Sequence, residues 1–171
     1  MFKTAANKIT LFRILLIPVF LILAYTGRLK ITLVVYIIAC ISDFLDGYIA
    51  RNWNQVSDYG KFLDPLADKM LVLAAMCFFV DNGQMPGWCM AVVLLREFAV
   101  SGLRLLAVEQ GIVIAAALSG KIKTFATMFC LGAMMVFSEI SVINTICCII
   151  ILATTVYSGV EYFIKNRNVF K

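Results

Sequence analysis

Four aspartates occur in two closely spaced pairs: Asp43 and Asp46, three residues apart, and Asp64 and Asp68, four apart. On a helix, spacings of three and four put both members of a pair on one face. Both pairs adjoin long apolar runs. At bilayer depth a carboxylate costs several kcal/mol unless it is paired, hydrated or bound to a cation. Two such pairs on neighbouring helices can converge, and four converging carboxylates repel one another. A divalent cation relieves that repulsion, and an all-oxygen ligand set suits Mg²⁺, Mn²⁺ or Ca²⁺ better than zinc. The competing reading is a set of ion pairs with Arg51, Lys61 and Lys69.

The residues around the pairs add to the chemistry. Gly47 and Ala50 lie on the same helical stripe as Asp43 and Asp46, and Gly60 precedes Asp64. Small residues let a ligand approach the backbone, and Arg51 can pair with a phosphate. Acidic pairs, small residues and one cation together suit a metal-bridged pyrophosphate and phosphoryl transfer. The chain has no histidine, which excludes Ser-His-Asp triads, histidine-bound zinc and histidine bases. Acid–base work falls to carboxylates, lysines or tyrosines.

The elements that position these residues follow from composition. The 171 residues are 63% hydrophobic and 15% charged, with mean hydropathy +0.96. Soluble domains run at about 45–50% apolar and about 25% charged. The expectation is an all-α integral membrane protein. Six apolar runs approach the roughly 20 residues a spanning helix needs: 11–26, 31–50, 65–80, 86–108, 121–137 and 142–164. Pro65 biases Asp64 away from helical geometry, so the third helix is expected to begin there. Residues 1–10 mix Phe2 and Ile9 with Lys3 and Lys8 and suit a short amphipathic segment on the inner leaflet. No run alternates with period two, which leaves a β-barrel unsupported. One domain, 1–171, is expected.

An even number of spans puts both termini on one side. That side carries ten Lys and Arg against two, Arg28 and Lys30, on the other, so the termini are expected in the cytoplasm. The net charge of +5 reads as this topology signal and as headgroup contact, with no nucleic-acid partner. The first span carries no small-residue cleavage site and reads as retained. The six cysteines lack CxxC spacing and read as buried free thiols. Gly102, Gly132 and Ala133 suggest close helix packing. A homodimer is compatible with the chain, but no face for it is indicated.

The string Asp43-Phe-Leu-Asp46-Gly47-Tyr-Ile-Ala50-Arg51, followed by Gly60, Asp64 and Asp68 at fixed spacing, resembles the full signature of the CDP-alcohol phosphatidyltransferases. The resemblance implies a six-helix membrane bundle that displaces CMP from a CDP-linked lipid or alcohol by a hydroxyl nucleophile. It implies that Asp43, Asp46, Asp64 and Asp68 bind two divalent ions, Mg²⁺ or Mn²⁺. Asp68 would also be the catalytic general base. Gly47, Ala50, Arg51 and Gly60 would line the CMP site. Asn7, Lys8, Ile9, Thr10 and Arg13, the stretch from Arg96 to Arg104, and the stretch from Gly120 to Thr124 resemble the bacterial members that make phosphatidylglycerophosphate. That implies CDP-diacylglycerol and sn-glycerol 3-phosphate as substrates in a bacterial cytoplasmic membrane, with the active site facing the cytoplasm.

The acceptor phosphate is a dianion that needs a basic pocket. Arg96 and Arg104, eight apart, share one helix face, and Lys121 and Lys123 sit at the entry to the fifth span. These four, with Arg13, are the candidate glycerol-phosphate ligands. Asn7 and Thr10 are candidates for the nucleotide phosphates. An Arg96–Glu97 pair, snorkelling of Arg104 and simple anchoring by the lysines are the alternatives. The sixth helix carries no recognisable motif. Rival functions are the same reaction with phosphatidylglycerol, serine or inositol compounds as acceptor, and, more remotely, divalent-cation transport.

Overall fold

The apolar runs fold as helices, broken where glycine or polar residues interrupt them. The computed structural model describes residues 5–52, 58–111, 114 and 117–170, with side chains for 11–42, 67 and, among the described positions, 69–169. Among these residues there are six α-helices and no strand. They are α1 (Ala5–Tyr25), α2 (Leu29–Asn52), α3 (Asp58–Asp81), α4 (Gly87–Glu109), α5 (Leu118–Val136) and α6 (Ser141–Lys165), followed by a short 3₁₀ turn, Arg167–Phe170.

Two helix starts differ from expectation. The first helix begins at Ala5, so residues 5–10 are part of α1, and positions 1–4 lie outside the described residues. α3 begins at Asp58, so Asp64 and Pro65 lie inside it rather than at its start. The bias that proline imposes on its predecessor is a preference. The helix continues through it and forgoes the one hydrogen bond Pro65 cannot donate. α1 likewise runs through Pro18.

The chain forms two compact units, divided between Asp81 and Asn82. In the first unit α1 packs against both α2 and α3. Phe20 of α1 is fully buried and meets Tyr36 of α2 with ring centroids 6.0 Å apart. Tyr25 sets its ring edge-on to Phe78 of α3 at 5.5 Å, and its hydroxyl donates to the Asp81 carboxylate. Gly27 adopts φ +76°, the left-handed conformation that stops α1.

In the second unit α6 packs against both α5 and α4, and the 3₁₀ turn folds back on α4. Val100, Leu103 and Ala107 of α4 bury themselves with Tyr162 and Val169. Gln110 Nε2 donates to the Val169 carbonyl at 3.0 Å and ties the 3₁₀ turn to the end of α4.

Several polar groups lie inside beside the apolar core, and many large apolar side chains lie outside. Arg13, Thr32, Lys123, Thr127, Thr155 and Ser158 are buried, while Leu95, Phe98, Phe125 and Phe129 are exposed. Several helical hydroxyls satisfy themselves on their own helix: Thr32 donates to Arg28 O at 3.0 Å and Thr127 to Lys123 O at 2.8 Å, whereas Thr155 Oγ1 has no hydrogen-bond partner among the described residues. One helix among the described residues, α6, is long and apolar enough to cross a membrane, and Leu11–Tyr25 and Leu29–Ser42 are shorter apolar stretches. All six cysteines are free, four of them buried.

Phe20 fills the contact between α1 and α2. Phe20→Ala is expected to lower stability by about 3 kcal/mol through the cavity it leaves, read as a shift in the unfolding transition of the purified chain.

Candidate active site

The acidic signature is carried by two continuous helices. Asp43, Asp46, Gly47, Ala50 and Arg51 lie in α2, and Gly60, Asp64 and Asp68 lie in α3. Because both segments are helical, each aspartate pair shares a helix face, as its spacing requires. α1 packs against both of these helices. The side chains of these eight residues, and of Asn7 and Thr10 in α1, lie outside the described ones. The donor set remains all-oxygen, the chemistry that Mg²⁺ and Mn²⁺ require.

Arg13, a candidate phosphate ligand, is fully buried in α1. Its Nε lies 3.5 Å from Ser42 Oγ of α2, at the limit of a hydrogen bond, and Ser42 in turn donates to Ala39 O at 2.8 Å. A fully buried guanidinium must be met by acceptors.

The second unit brings part of the basic group together. Glu97 Oε1 accepts from Arg96 Nη1 at 2.9 Å and from Lys123 Nζ at 2.7 Å. The three side chains are only 12%, 19% and 5% exposed for Arg96, Glu97 and Lys123 respectively. Lys123 is thus a buried ion-pair partner rather than a surface anchor. The Arg96–Glu97 pair, the alternative to phosphate binding, is present and is extended by Lys123. Arg96 Nε is buried and has no hydrogen-bond partner among the described residues.

Glycines make room for this cluster. A Cβ on Gly159 of α6 would stand 3.2 Å from Arg96 Cγ, and one on Gly120 of α5 would stand 3.7 Å from Arg96 Nη2. Gly102, expected to serve close packing, meets no neighbour among the described residues: a Cβ there would have nothing within 4 Å. Alongside, a groove of about 480 Å³ runs between α4 and α6, lined by Leu95, Arg96, Ala99, Thr155, Gly159 and Phe163 among others.

Arg104 belongs to a different contact. Its Nε donates to Tyr162 Oη at 2.7 Å, and its guanidinium carbon lies 5.4 Å from that ring's centroid. Arg96 and Arg104 do share the α6-facing side of α4, but eight residues separate them by about 12 Å along the axis. Three of the four cations therefore fall into a buried Arg96–Glu97–Lys123 cluster and a separate Arg104–Tyr162 pair, and the fourth, Lys121, is exposed.

The sixth helix, which showed no motif, supplies partners to both. Thr155, Gly159 and Tyr162 recur at spacings of four and three and form the stripe that meets α4. That spacing was the available signal.

The model of the CDP-alcohol phosphatidyltransferase family matches residues 3–157, and the chain belongs to that family. It is 41% identical to the CDP-diacylglycerol–glycerol-3-phosphate 3-phosphatidyltransferase of Bacillus subtilis (strain 168), over 96% of each chain. The protein of the same name from Haemophilus influenzae is 37% identical, over 90% of this chain and 88% of that one. A probable phosphatidylglycerophosphate synthase of Mycobacterium tuberculosis (strain H37Rv) is 33% identical, over 92% of this chain and 78% of that one.

The close approach at Gly159 is testable without reference to activity. Gly159→Ala asks Arg96 to give by a few tenths of an ångström and is expected to be near neutral. Gly159→Leu must displace Arg96 or part α4 from α6, and is expected to cost about 1–3 kcal/mol. Comparison of the two unfolding midpoints checks this.

Proposed function

We infer that this chain transfers the phosphatidyl group from CDP-diacylglycerol to sn-glycerol 3-phosphate, giving phosphatidylglycerophosphate and CMP. The observation that carries the reading is the unbroken family signature on α2 and α3, in a chain whose relatives of nearly equal length bear that reaction's name.

In this reading the six helices cross the cytoplasmic membrane, with both termini and the active site on the cytoplasmic side. The excess of Lys and Arg on that side, the apolar α6 and the outward-facing phenylalanines support it. Both units belong to one catalytic domain, as the match from residue 3 to residue 157 suggests.

Asp43, Asp46, Asp64 and Asp68 would hold two divalent ions, Mg²⁺ or Mn²⁺. When bound, these ions neutralise charge on the pyrophosphate. Asp68 takes the proton from the 1-hydroxyl of glycerol 3-phosphate. The resulting oxygen bonds to the phosphorus that bears diacylglycerol, and the bridging P–O bond to CMP breaks. Arg51, with Gly47, Ala50 and Gly60 leaving room around it, pairs with the departing CMP phosphate. Asn7 and Thr10 contact the nucleotide phosphates. Arg96, Arg104, Lys121, Lys123 and Arg13 are the candidate groups for the acceptor phosphate, with arginine forks matching its oxygens.

The test is CMP release by the purified chain, with CDP-diacylglycerol, Mg²⁺ or Mn²⁺, and one acceptor at a time. Release is expected with glycerol 3-phosphate and is expected to stop on chelation of the metal. Release only with phosphatidylglycerol, serine or an inositol compound would keep the aspartate chemistry and overturn the acceptor. No release with any acceptor, together with Mg²⁺ flux into liposomes, would replace the enzyme with a transporter.

Asp68→Asn is expected to lower turnover by at least about a hundredfold, the lower end of what a positioned general base contributes, while the chain stays folded by circular dichroism. Wild-type turnover in that variant would remove Asp68 as the base.

A further inference from the structure

Glu97 has no part in the chemistry above, yet it is the group on which two of the acceptor cations meet. Arg96 Nη1 and Lys123 Nζ both approach the same oxygen, Oε1, within 3 Å. The two cationic nitrogens therefore stand no more than about 6 Å from one another. Without the carboxylate between them, two buried like charges would repel with little water to screen them. Glu97 compensates that repulsion.

The geometry also selects which edge of the guanidinium is engaged. Nη1 is held by Glu97. The opposite edge, Nε with Nη2, is the pair of parallel donors that fits two phosphate oxygens side by side. Nε is buried and unpartnered among the described residues, and Nη2 lies beside Gly120 of α5, where an added Cβ would stand 3.7 Å away. The stem of the arginine is fixed from the other side by Gly159, against which Cγ packs. The side chain is thus held at its stem and at Nη1, and Nε is the donor left without a partner among the described residues.

We propose that Glu97 is a positioning residue for the acceptor: it holds Arg96 by Nη1 and Lys123 by Nζ, so that the Nε/Nη2 fork of Arg96 receives the phosphomonoester of the incoming alcohol. This rests on the reading of Arg96 and Lys123 as acceptor-phosphate ligands. It assigns to Glu97 the affinity for the acceptor's phosphate and no share in proton transfer or CMP departure.

The experiment is steady-state kinetics of the full chain in detergent with Mg²⁺, varying glycerol 3-phosphate and CDP-diacylglycerol separately, for E97Q, E97D, K123M and the double variant E97Q/K123M. E97Q is expected to raise KM for glycerol 3-phosphate by about tenfold or more, the size of one lost charge-assisted hydrogen bond. Turnover and KM for CDP-diacylglycerol are expected to stay within about twofold. E97D, which keeps the charge, is expected to recover part of the affinity. If E97Q alone does not fold, the charge-balanced double variant E97Q/K123M is the readout, and a KM for glycerol 3-phosphate at the wild-type value in it would overturn the proposal. Because Glu97 acts through its partners, the double variant is expected to fall well short of the product of the single effects.

A rise in KM with K123M but none with E97Q would overturn the positioning role and leave the acceptor site standing. No effect of K123M on KM for glycerol 3-phosphate would overturn the acceptor site itself. Equal losses for both substrates, or strictly multiplicative effects in the double variant, would reduce Glu97 to a structural ion pair and also overturn the proposal.

Discussion

One oxygen atom, Oε1 of Glu97, accepts hydrogen bonds from α4 through Arg96 and from α5 through Lys123, and so ties together the two helices that each pack on α6. An ion pair withdrawn from water returns its desolvation cost only when its geometry is good and its remaining donors are met. α6 contributes by what it lacks: Gly159 has no Cβ, so the stem of Arg96 can lie against the helix. Near the start of α5, Gly120 also borders the guanidinium, but a Cβ there would make only ordinary contact, at 3.7 Å from Nη2. Adding a large side chain at either glycine, or removing the carboxylate, would move the same guanidinium.

The first unit meets the same constraint in its own way. Arg13 is wholly buried in α1, with Ser42 of α2 at the edge of hydrogen-bonding reach. Threonine and serine hydroxyls elsewhere turn back onto their own helix carbonyls, which removes polar groups from surfaces that carry phenylalanine, leucine and isoleucine outward. Such a distribution suits lipid surroundings, where polar groups belong inside. It is also what phosphoryl chemistry on a lipid substrate demands: charged groups must be kept at the depth of the headgroup without exposing them to the tails.

Much of this was legible in the chain before any packing was known. The aspartate spacing on α2 and α3, the absence of histidine, the apolar composition and the number of helices are all local properties. A helix fixes which residues share a face from spacing alone, so the pairs 43/46 and 64/68 and the shared side of Arg96 and Arg104 follow from periodicity. The start of α3 did not follow, because the bias of Pro65 on its neighbour is weak enough for a continuous helix to override.

Contacts between helices were decided by tertiary structure. Lys121 and Lys123 are two residues apart and look alike in sequence, yet one is exposed and the other is buried against Glu97. Gly102 and Gly159 are equally small, yet only Gly159 stands against a neighbouring side chain. Arg104 found Tyr162 rather than Arg96's cluster. Sequence determines the faces of each helix because a helix is built from neighbours along the chain. Which face meets which depends on the rotation and crossing of helices far apart in sequence, and that is set by the packing of whole side-chain surfaces against one another.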